Sequence, residues 1–259
     1  MTLDDDLALA LRLADTADAF SSGHYRVRDL HVDTKPDHTF VTEADLAVER
    51  ALRDALATER PGDGILGEEF GSAGDTARQW IIDPIDGTSN YLRGVPVWGT
   101  LIALAIDGEP VVGVVSSPAL GKRWWAAAGA GAWTANADGS EPRRLRVSGV
   151  SELEHASLSF QSIQQWDRAG YLDKLIALSR RVWRDRAYGD MWSYMLLAEG
   201  VLDAVAEFDV KTYDLAALIP IVEEAGGAFT SVTGASGPGN GSSLATNGLL
   251  HPALLKALA

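Results

Sequence analysis

At 259 residues, 46% of them hydrophobic, the chain can bury the core of one large domain or two small ones, which excludes a disordered polymer. Its 36 acidic against 22 basic side chains leave a formal charge of -14, which disfavours nucleic acid and anionic membranes as partners. It contains no Cys, so disulfides, thiolate metal sites and cysteine nucleophiles are excluded, a composition that suits a reducing cytoplasm.

The first residues, MTLDDDLALALRLADTAD, are acidic, with Leu7, Leu11, Ala14 and Ala17 at helical spacing; they predict an amphipathic helix over 3–22 rather than a secretion signal. Thr42 followed by Asp45 resembles a capping box and predicts a second helix over 43–58, with Ala47, Val48, Ala51, Leu52 and Ala55 as its apolar stripe. Strands are then expected at 65–67, 80–82, 97–106, 110–117 and 123–128, with the Asp107-Gly108 pair as a hairpin signal, giving a mostly antiparallel sheet. The apolar run at 97–106 is too short to span a bilayer.

A polar turn over 136–144 separates two lobes, about 1–135 and 136–259, of a single domain. The second lobe alternates: strand 156–160, helix near 168–180, strand 181–184, helix 191–199, strand 203–207, helix 214–225, strands 228–231 and 244–247, and a C-terminal helix. Pro220 is expected to bend the helix that contains it or to mark a tight approach. Layered α/β or α+β architecture follows.

The stretch IIDPIDGTSN (81–90) runs from buried-type residues into two carboxylates, Asp83 and Asp86. Pro84 cannot donate to a sheet ladder and turns the chain. Gly87 permits close backbone approach, and Thr88 could open a helical turn with outward N–H groups. Two anions facing N–H donors suit cations that bridge to a phosphate. The same letters also suit a local turn in which Asp86 satisfies nearby N–H groups. Three further sites add acids: Glu68 and Glu69 after the short strand at 65–67, Asp45 in the first turn of a helix, and Asp214 at another helix start. Each has a plain alternative, a solvated loop for the glutamates and helix capping for the aspartates.

Oxygen donors without Cys, and without paired His at zinc spacing, point to Mg2+ rather than zinc. His24, His31, His38, His155 and His251 read as surface or structural. GDGILG (62–67) has the letters of a dinucleotide fingerprint but precedes a strand instead of following one. GPGNGSS (237–243) lacks a P-loop Lys, and no G-x-S-x-G elbow occurs.

Taken together, GEE, then DPIDGTSNY, then YDLAALIPIVEEAGG, with KPDHTFVTEAD upstream, resemble the inositol monophosphatase family of Mg2+-dependent phosphomonoesterases, over nearly the whole chain and in the family's order. The resemblance implies an α+β layered α-β-α-β-α sandwich, commonly dimeric, with two or three Mg2+ ions. Glu68, Asp83 and the Ile85 carbonyl would hold the first ion, and Asp83, Asp86 and Asp214 the second. Gly87 and Thr88 would bind phosphate, and Asp45 with Thr88, together with Glu68, would orient or deprotonate the attacking water. Glu69 matches a residue behind the metal ligands, and Lys35 one near the mobile loop 33–41.

Tyr213 departs from the family's usual Trp but keeps an aromatic. The segment RAYGD (186–190) departs further, because many inositol phosphatases have a small or uncharged residue where Asp190 stands. Asp190 could be a simple N-cap. With Glu207 it would also make two carboxylates beyond the metals, suited to a cationic leaving group. With Arg186, this segment resembles the histidinol-phosphate phosphatase branch of the family. The implied reaction is hydrolysis of L-histidinol phosphate in histidine biosynthesis, with inositol 1-phosphate or fructose 1,6-bisphosphate as alternative substrates of the same site. A non-catalytic Mg2+-binding protein is the reading from another class.

Overall fold

The computed structural model describes residues 2–27, 30–34 and 40–259. Helix α1 (Leu3–His24) opens at Thr2 with a capping box to Asp5 and buries Leu9, Ala10, Leu13, Ala14 and Ala17. Strands β1 (Val32–Thr34) and β2 (Phe40–Thr42) form an antiparallel pair with no counterpart in the sequence prediction; Lys35 lies outside the described residues. Helix α2 (Glu43–Glu59) opens at Thr42 through the predicted capping box.

Next come β3 (Gly64–Gly67), β4 (Gly71–Ala73), β5 (Arg78–Asp86), helix α3 (Thr88–Arg93), β6 (Gly99–Ile106), β7 (Glu109–Ser117), β8 (Lys122–Ala127), β9 (Gly131–Asn136) and β10 (Arg143–Arg144). They pair in the order β10-β9-β8-β7-β6-β5-β3-β4. The β6–β7 hairpin turns at Asp107 and Gly108, both at positive φ (52° and 87°), as a two-residue turn of matching twist requires. Every ladder in this sheet is antiparallel except β3 with β5, which is parallel.

The sheet is covered on both faces, which is why its strands read as continuous apolar runs. Trp80, Ile82, Ile102 and Leu104 point into a core with α1 and α2, while Ile81, Leu101, Ala103 and Ala105 point to the opposite face.

The second lobe comprises β11 (Ser157–Ser159), α4 (Ile163–Arg168), α5 (Leu172–Ser179), β12 (Arg184–Arg186), α6 (Asp190–Ala198), β13 (Ala204–Phe208), α7 (Thr212–Leu215), α8 (Leu218–Glu224), β14 (Ala228–Thr230), β15 (Ser242–Thr246) and α9 (His251–Leu258). The sheet order is β12-β11-β13-β15-β14, with β12, β11 and β13 mutually parallel. Helices α6 and α8 lie between the two sheets and share one core with both; α4, α5 and α9 cover the outer face of the second sheet. The layers run α-β-α-β-α.

Several boundaries differ from the sequence prediction for identifiable reasons. The helix expected over 168–180 is α5, which starts only at Leu172; the turn at Gly170 (φ 76°), with Tyr171 N–H donating to the Trp166 carbonyl, separates it from α4 (Ile163–Arg168), a helix with no counterpart in the sequence prediction. The strand expected at 181–184 starts at Arg184, since the N–H groups of Arg181 and Val182 both donate to Leu178 and finish α5. Of the two expectations for Pro220 the structure meets the tight approach, since a Cβ added at Gly113 on β7 would lie 2.8 Å from its Cγ, while the helix predicted over 214–225 is interrupted before it instead of bent. Pro220 has no N–H to offer the Ala216 carbonyl, so α7 ends at Leu215 and α8 restarts with Pro220 in its first turn. Among the described residues no helix is long and apolar enough to cross a membrane.

Helix α8 reaches the first sheet through Gly113 on β7, where an added Cβ would lie 2.2 Å from the Ala217 carbonyl oxygen. G113A should therefore force the two layers apart and destabilise the protein by about 2 kcal/mol. The effect is read as a lower urea midpoint at unchanged slope.

Candidate active site

Strand β5 does not stop at Ile82; it continues to Asp86 across an irregularity. Asp83 is opposite Leu101 and Asp86 is opposite Gly99, so three steps on β5 match two on β6. Pro84 withholds an N–H from the ladder, and its carbonyl accepts instead from Thr100 Oγ1 at 2.8 Å. On a regular strand residues three apart face opposite sides. The extra residue cancels that alternation and lets Asp83 and Asp86 serve one cleft.

Glu68 follows β3, the parallel neighbour of β5, and its N–H donates to the Ile82 carbonyl at 3.2 Å. Glu68 and Asp83 thus emerge side by side at the carboxyl ends of two parallel strands, where open sheets with such pairs bind ligands. Asp214 arrives from α7. Carboxylate oxygens of Asp83, Asp86 and Asp214 lie within 4.8 Å of one another. A cleft of about 180 Å³ is lined by these three with Glu68, Ile85, Gly87, Thr88, Ser89, Phe40 and Asp190.

The capping alternatives for Asp45 and Asp214 prove compatible with a place at the site. Asp45 Oδ2 accepts from the Thr42 N–H at 2.8 Å and from its hydroxyl at 2.6 Å, while Oδ1 lies 3.5 Å from Thr88 Oγ1. Thr88 Oγ1 has a shorter acceptor in the Ile85 carbonyl at 3.0 Å. Asp214 Oδ2 accepts from the Lys211 N–H at 2.7 Å, and the residue still lines the cleft. Gly87 takes φ 82°, and a Cβ there would come within 2.9 Å of the Val97 carbonyl oxygen, so only glycine fits this turn.

A second cavity of about 170 Å³ continues from the first and shares Asp86, Asp190 and Asp214 with it. Glu207 is buried in its wall; Oε2 accepts from the Tyr194 hydroxyl at 3.1 Å, while Oε1 has no hydrogen-bond partner. Gln161, Gln165 and Asp209 complete its polar lining. The predicted N-cap role for Asp190 does not hold: it is the first residue of α6, preceded by Gly189, and its carboxylate accepts from Asn90 Nδ2 at 2.6 Å and Gln161 Nε2 at 3.1 Å. Arg186 is not brought to the site. It stands exposed on β12, donates to the Asp185 carbonyl, and lines neither cavity.

Sequence reasoning passed over Glu49. This fully buried side chain accepts from the Glu69 N–H at 2.7 Å and the Phe70 N–H at 3.1 Å, and pairs with Arg53 Nε at 2.8 Å. Gly67 makes room for it, since a Cβ there would fall 1.9 Å from Glu49 Oε1. Glu49 therefore shapes the turn that carries Glu68 and Glu69. Its signal was an acid beside Val48 and three residues before Leu52, on the buried side of a helix.

The electrostatics are those of anions crowded out of water. Burial pushes the Asp83 carboxyl well above its ordinary range, and repulsion from Glu68, Asp86 and Asp214 adds to this. Asp86 is raised in the same way, by burial first and then by Asp190 and Asp214. Burial lifts Asp214 to about 7, Glu207 to about 8 and Asp45 to about 6, the last despite its Thr42 hydrogen bonds. Asp83 Oδ1 is buried without a hydrogen-bond partner. Hard oxygen donors, an orphaned carboxylate oxygen and mutual repulsion together fit a divalent cation.

Similarity to known proteins agrees with this chemistry. The model of the inositol monophosphatase family matches residues 3–259. A histidinol-phosphatase of Mycobacterium tuberculosis is 58% identical over 255 residues, 98% of each chain. A histidinol-phosphatase of Streptomyces coelicolor is 52% identical, covering 97% of this chain and 96% of its own. A solved inositol monophosphatase from Zymomonas mobilis superposes with a TM-score of 0.86 at 34% identity, covering 100% of this chain and 99% of its own.

Carboxyls raised on folding bind protons that the unfolded chain releases, so without metal these groups contribute stability that is fully present below about pH 4 and is lost as pH rises through about 6 to 8. Divalent cations bind the ionised form and should reverse this loss. The expected result is a melting temperature that drops from pH 5 to pH 8 in chelator, a gain on adding Mg2+ that grows with pH, and proton release on titration. A pH-independent gain would contradict the assignment.

Proposed function

The chain belongs to the inositol monophosphatase family, and within it we propose that it is a Mg2+-dependent phosphatase that hydrolyses L-histidinol phosphate to L-histidinol and phosphate. The observation that carries this reading is the junction of two cavities at Asp86, Asp190 and Asp214, one lined by the phosphate-type turn and the other by the buried Glu207. A phosphate ester placed across that junction has its leaving group against Asp190 and Glu207. Two carboxylates there favour an ammonium-bearing alcohol over a neutral polyol, because the amine compensates their charge. The similarity to histidinol-phosphatases across nearly the whole chain supports the same choice.

In this assignment Glu68, Asp83, the Ile85 carbonyl, Asp86 and Asp214 hold two or three Mg2+ ions. Bound there, the ions would supply Lewis acidity to the phosphate oxygens and to water. The backbone at Gly87 and Thr88 seats the phosphate. Thr88 donates its hydroxyl hydrogen toward Ile85 or Asp45 and so keeps a lone pair for a proton of the attacking water. Asp45, lifted by burial to about 6 in the metal-free protein, would take the hydroxyl hydrogen that Thr88 gives up as Thr88 accepts one from the water. Glu68 shares the work of orienting the water. Glu69, behind the metal ligands, and Lys35, in the nearby loop, are assigned on the family resemblance alone. Asp190 and Glu207 hold the ammonium.

The two lobes act as a single domain, a reading supported by the α6 and α8 layer that both sheets share. We place the enzyme in histidine biosynthesis in the cytoplasm and as a homodimer.

Turnover of histidinol phosphate, inositol 1-phosphate and fructose 1,6-bisphosphate, measured side by side with Mg2+, tests the substrate. Histidinol phosphate should have the highest kcat/KM; a preference for either of the others would overturn the choice. D190A should lower kcat/KM for histidinol phosphate about 100-fold, the order expected for losing one ionic contact, and for 4-nitrophenyl phosphate far less. Equal losses on both substrates would reduce Asp190 to a structural residue.

A further inference from the structure

Asp190 sits in a backbone conformation that its side chain disfavours, with φ 49°, and Gln161 shares that left-handed conformation at φ 54°. Non-glycine residues remain there only when their surroundings over-determine them. The two strained residues hold each other: Gln161 Oε1 accepts from the Asp190 N–H at 3.1 Å, and Gln161 Nε2 donates to Asp190 Oδ1 at 3.1 Å. The orientation of the amide is unambiguous, because the N–H can only donate and the carboxylate can only accept. Gly189 leaves space for this clasp, since a Cβ there would stand 2.9 Å from Gln161 Oε1.

The other carboxylate oxygen is held from across the cleft. Asn90 Nδ2 donates to Asp190 Oδ2 at 2.6 Å and to the Val97 carbonyl at 2.9 Å. Asp190 thus has an amide on each oxygen; burial raises its carboxyl above the ordinary range, and both bonds oppose that rise by favouring the ionised form. In the wall of the same cavity stands Glu207, buried, with Oε2 taken by the Tyr194 hydroxyl and Oε1 without a hydrogen-bond partner among the described residues.

We propose that Gln161 is a specificity-determining positioning residue: it locks the Asp190 carboxylate in the orientation that, with Glu207 in the wall of the same cavity, receives the ammonium of the leaving group. The inference rests on the substrate reading given above. Gln161 follows β11, while Asp190 opens α6 after β12, so the clasp connects the carboxyl ends of two neighbouring parallel strands to the pocket. Asn90 couples the same carboxylate to α3, which begins at the phosphate-type turn. Gln161 acts through Asp190 and need not touch the substrate.

The test is a double-mutant cycle on the full-length, Mg2+-loaded enzyme with histidinol phosphate and 4-nitrophenyl phosphate as substrates. Q161M keeps the side-chain length but removes both bonds. It should raise KM for histidinol phosphate about tenfold relative to KM for 4-nitrophenyl phosphate, the loss expected when a charged contact is released from its position. Q161E keeps the acceptor for the Asp190 N–H but sets a carboxylate against Oδ1, and should be at least as impaired. In a D190A background Q161M should add nothing to this substrate ratio. An unchanged ratio in Q161M, or full additivity with D190A, would overturn the proposal while leaving the substrate reading intact. Wild-type enzyme that prefers inositol 1-phosphate would overturn the reading and this inference with it. Thermal melting of each variant separates loss of fold from loss of positioning, and Q161E provides a second variant should Q161M fail to fold.

Discussion

The repulsion among carboxylates gathered where the two lobes meet is the constraint on which this structure turns. Asp83, Asp86 and Asp214 converge within 4.8 Å, with Glu68, Asp190 and Glu207 lining the adjoining cavities. Holding so many acids away from water opposes folding unless protons or cations compensate them. The surrounding architecture can be understood as what keeps that arrangement in place.

Much of that scaffolding comes from atoms with two tasks. Asp45 and Asp214 each give one oxygen to a helix start, which fixes the side chain by a bond worth about 1 kcal/mol in stability and leaves the residue at the site. Asp86 accepts from the Met191 N–H at 2.7 Å, so an acid on the first sheet is tied to the first turn of a helix from the second lobe. Glu49, itself buried and paired with Arg53, shapes the turn of Glu68 from below. Removing any one of these supports alters the position of a charge, not only the stability of an element.

The division between the lobes has a chemical counterpart. The first sheet contributes the strand ends and the Gly87 turn, features set by local sequence. The second lobe contributes Asp190, Gln161 and Glu207, which line the cavity where a leaving group would lie. The cavity where phosphate would sit and the cavity where the alcohol would sit thus draw on different elements.

The sequence by itself determined the helices α1 and α2, the β6–β7 hairpin and the set of acids, because capping boxes, hairpin pairs and hydrophobic periodicity are local signals. It also carried the family, through GEE, DPIDGTSNY and YDLAALIPIVEEAGG. It misplaced the ends of short elements in the second lobe, where Gly170 and Pro220 decided boundaries through hydrogen bonds that periodicity does not report. Only the tertiary structure decided that Asp83 and Asp86 share one side, because a single bulged residue opposite β6 reverses the alternation of the strand. Only it separated Arg186 from the cleft and joined Asn90 and Gln161 to Asp190, since contacts spanning 100 and 29 residues leave no local trace. Local chemistry named the charges; packing across distant strands decided which of them meet.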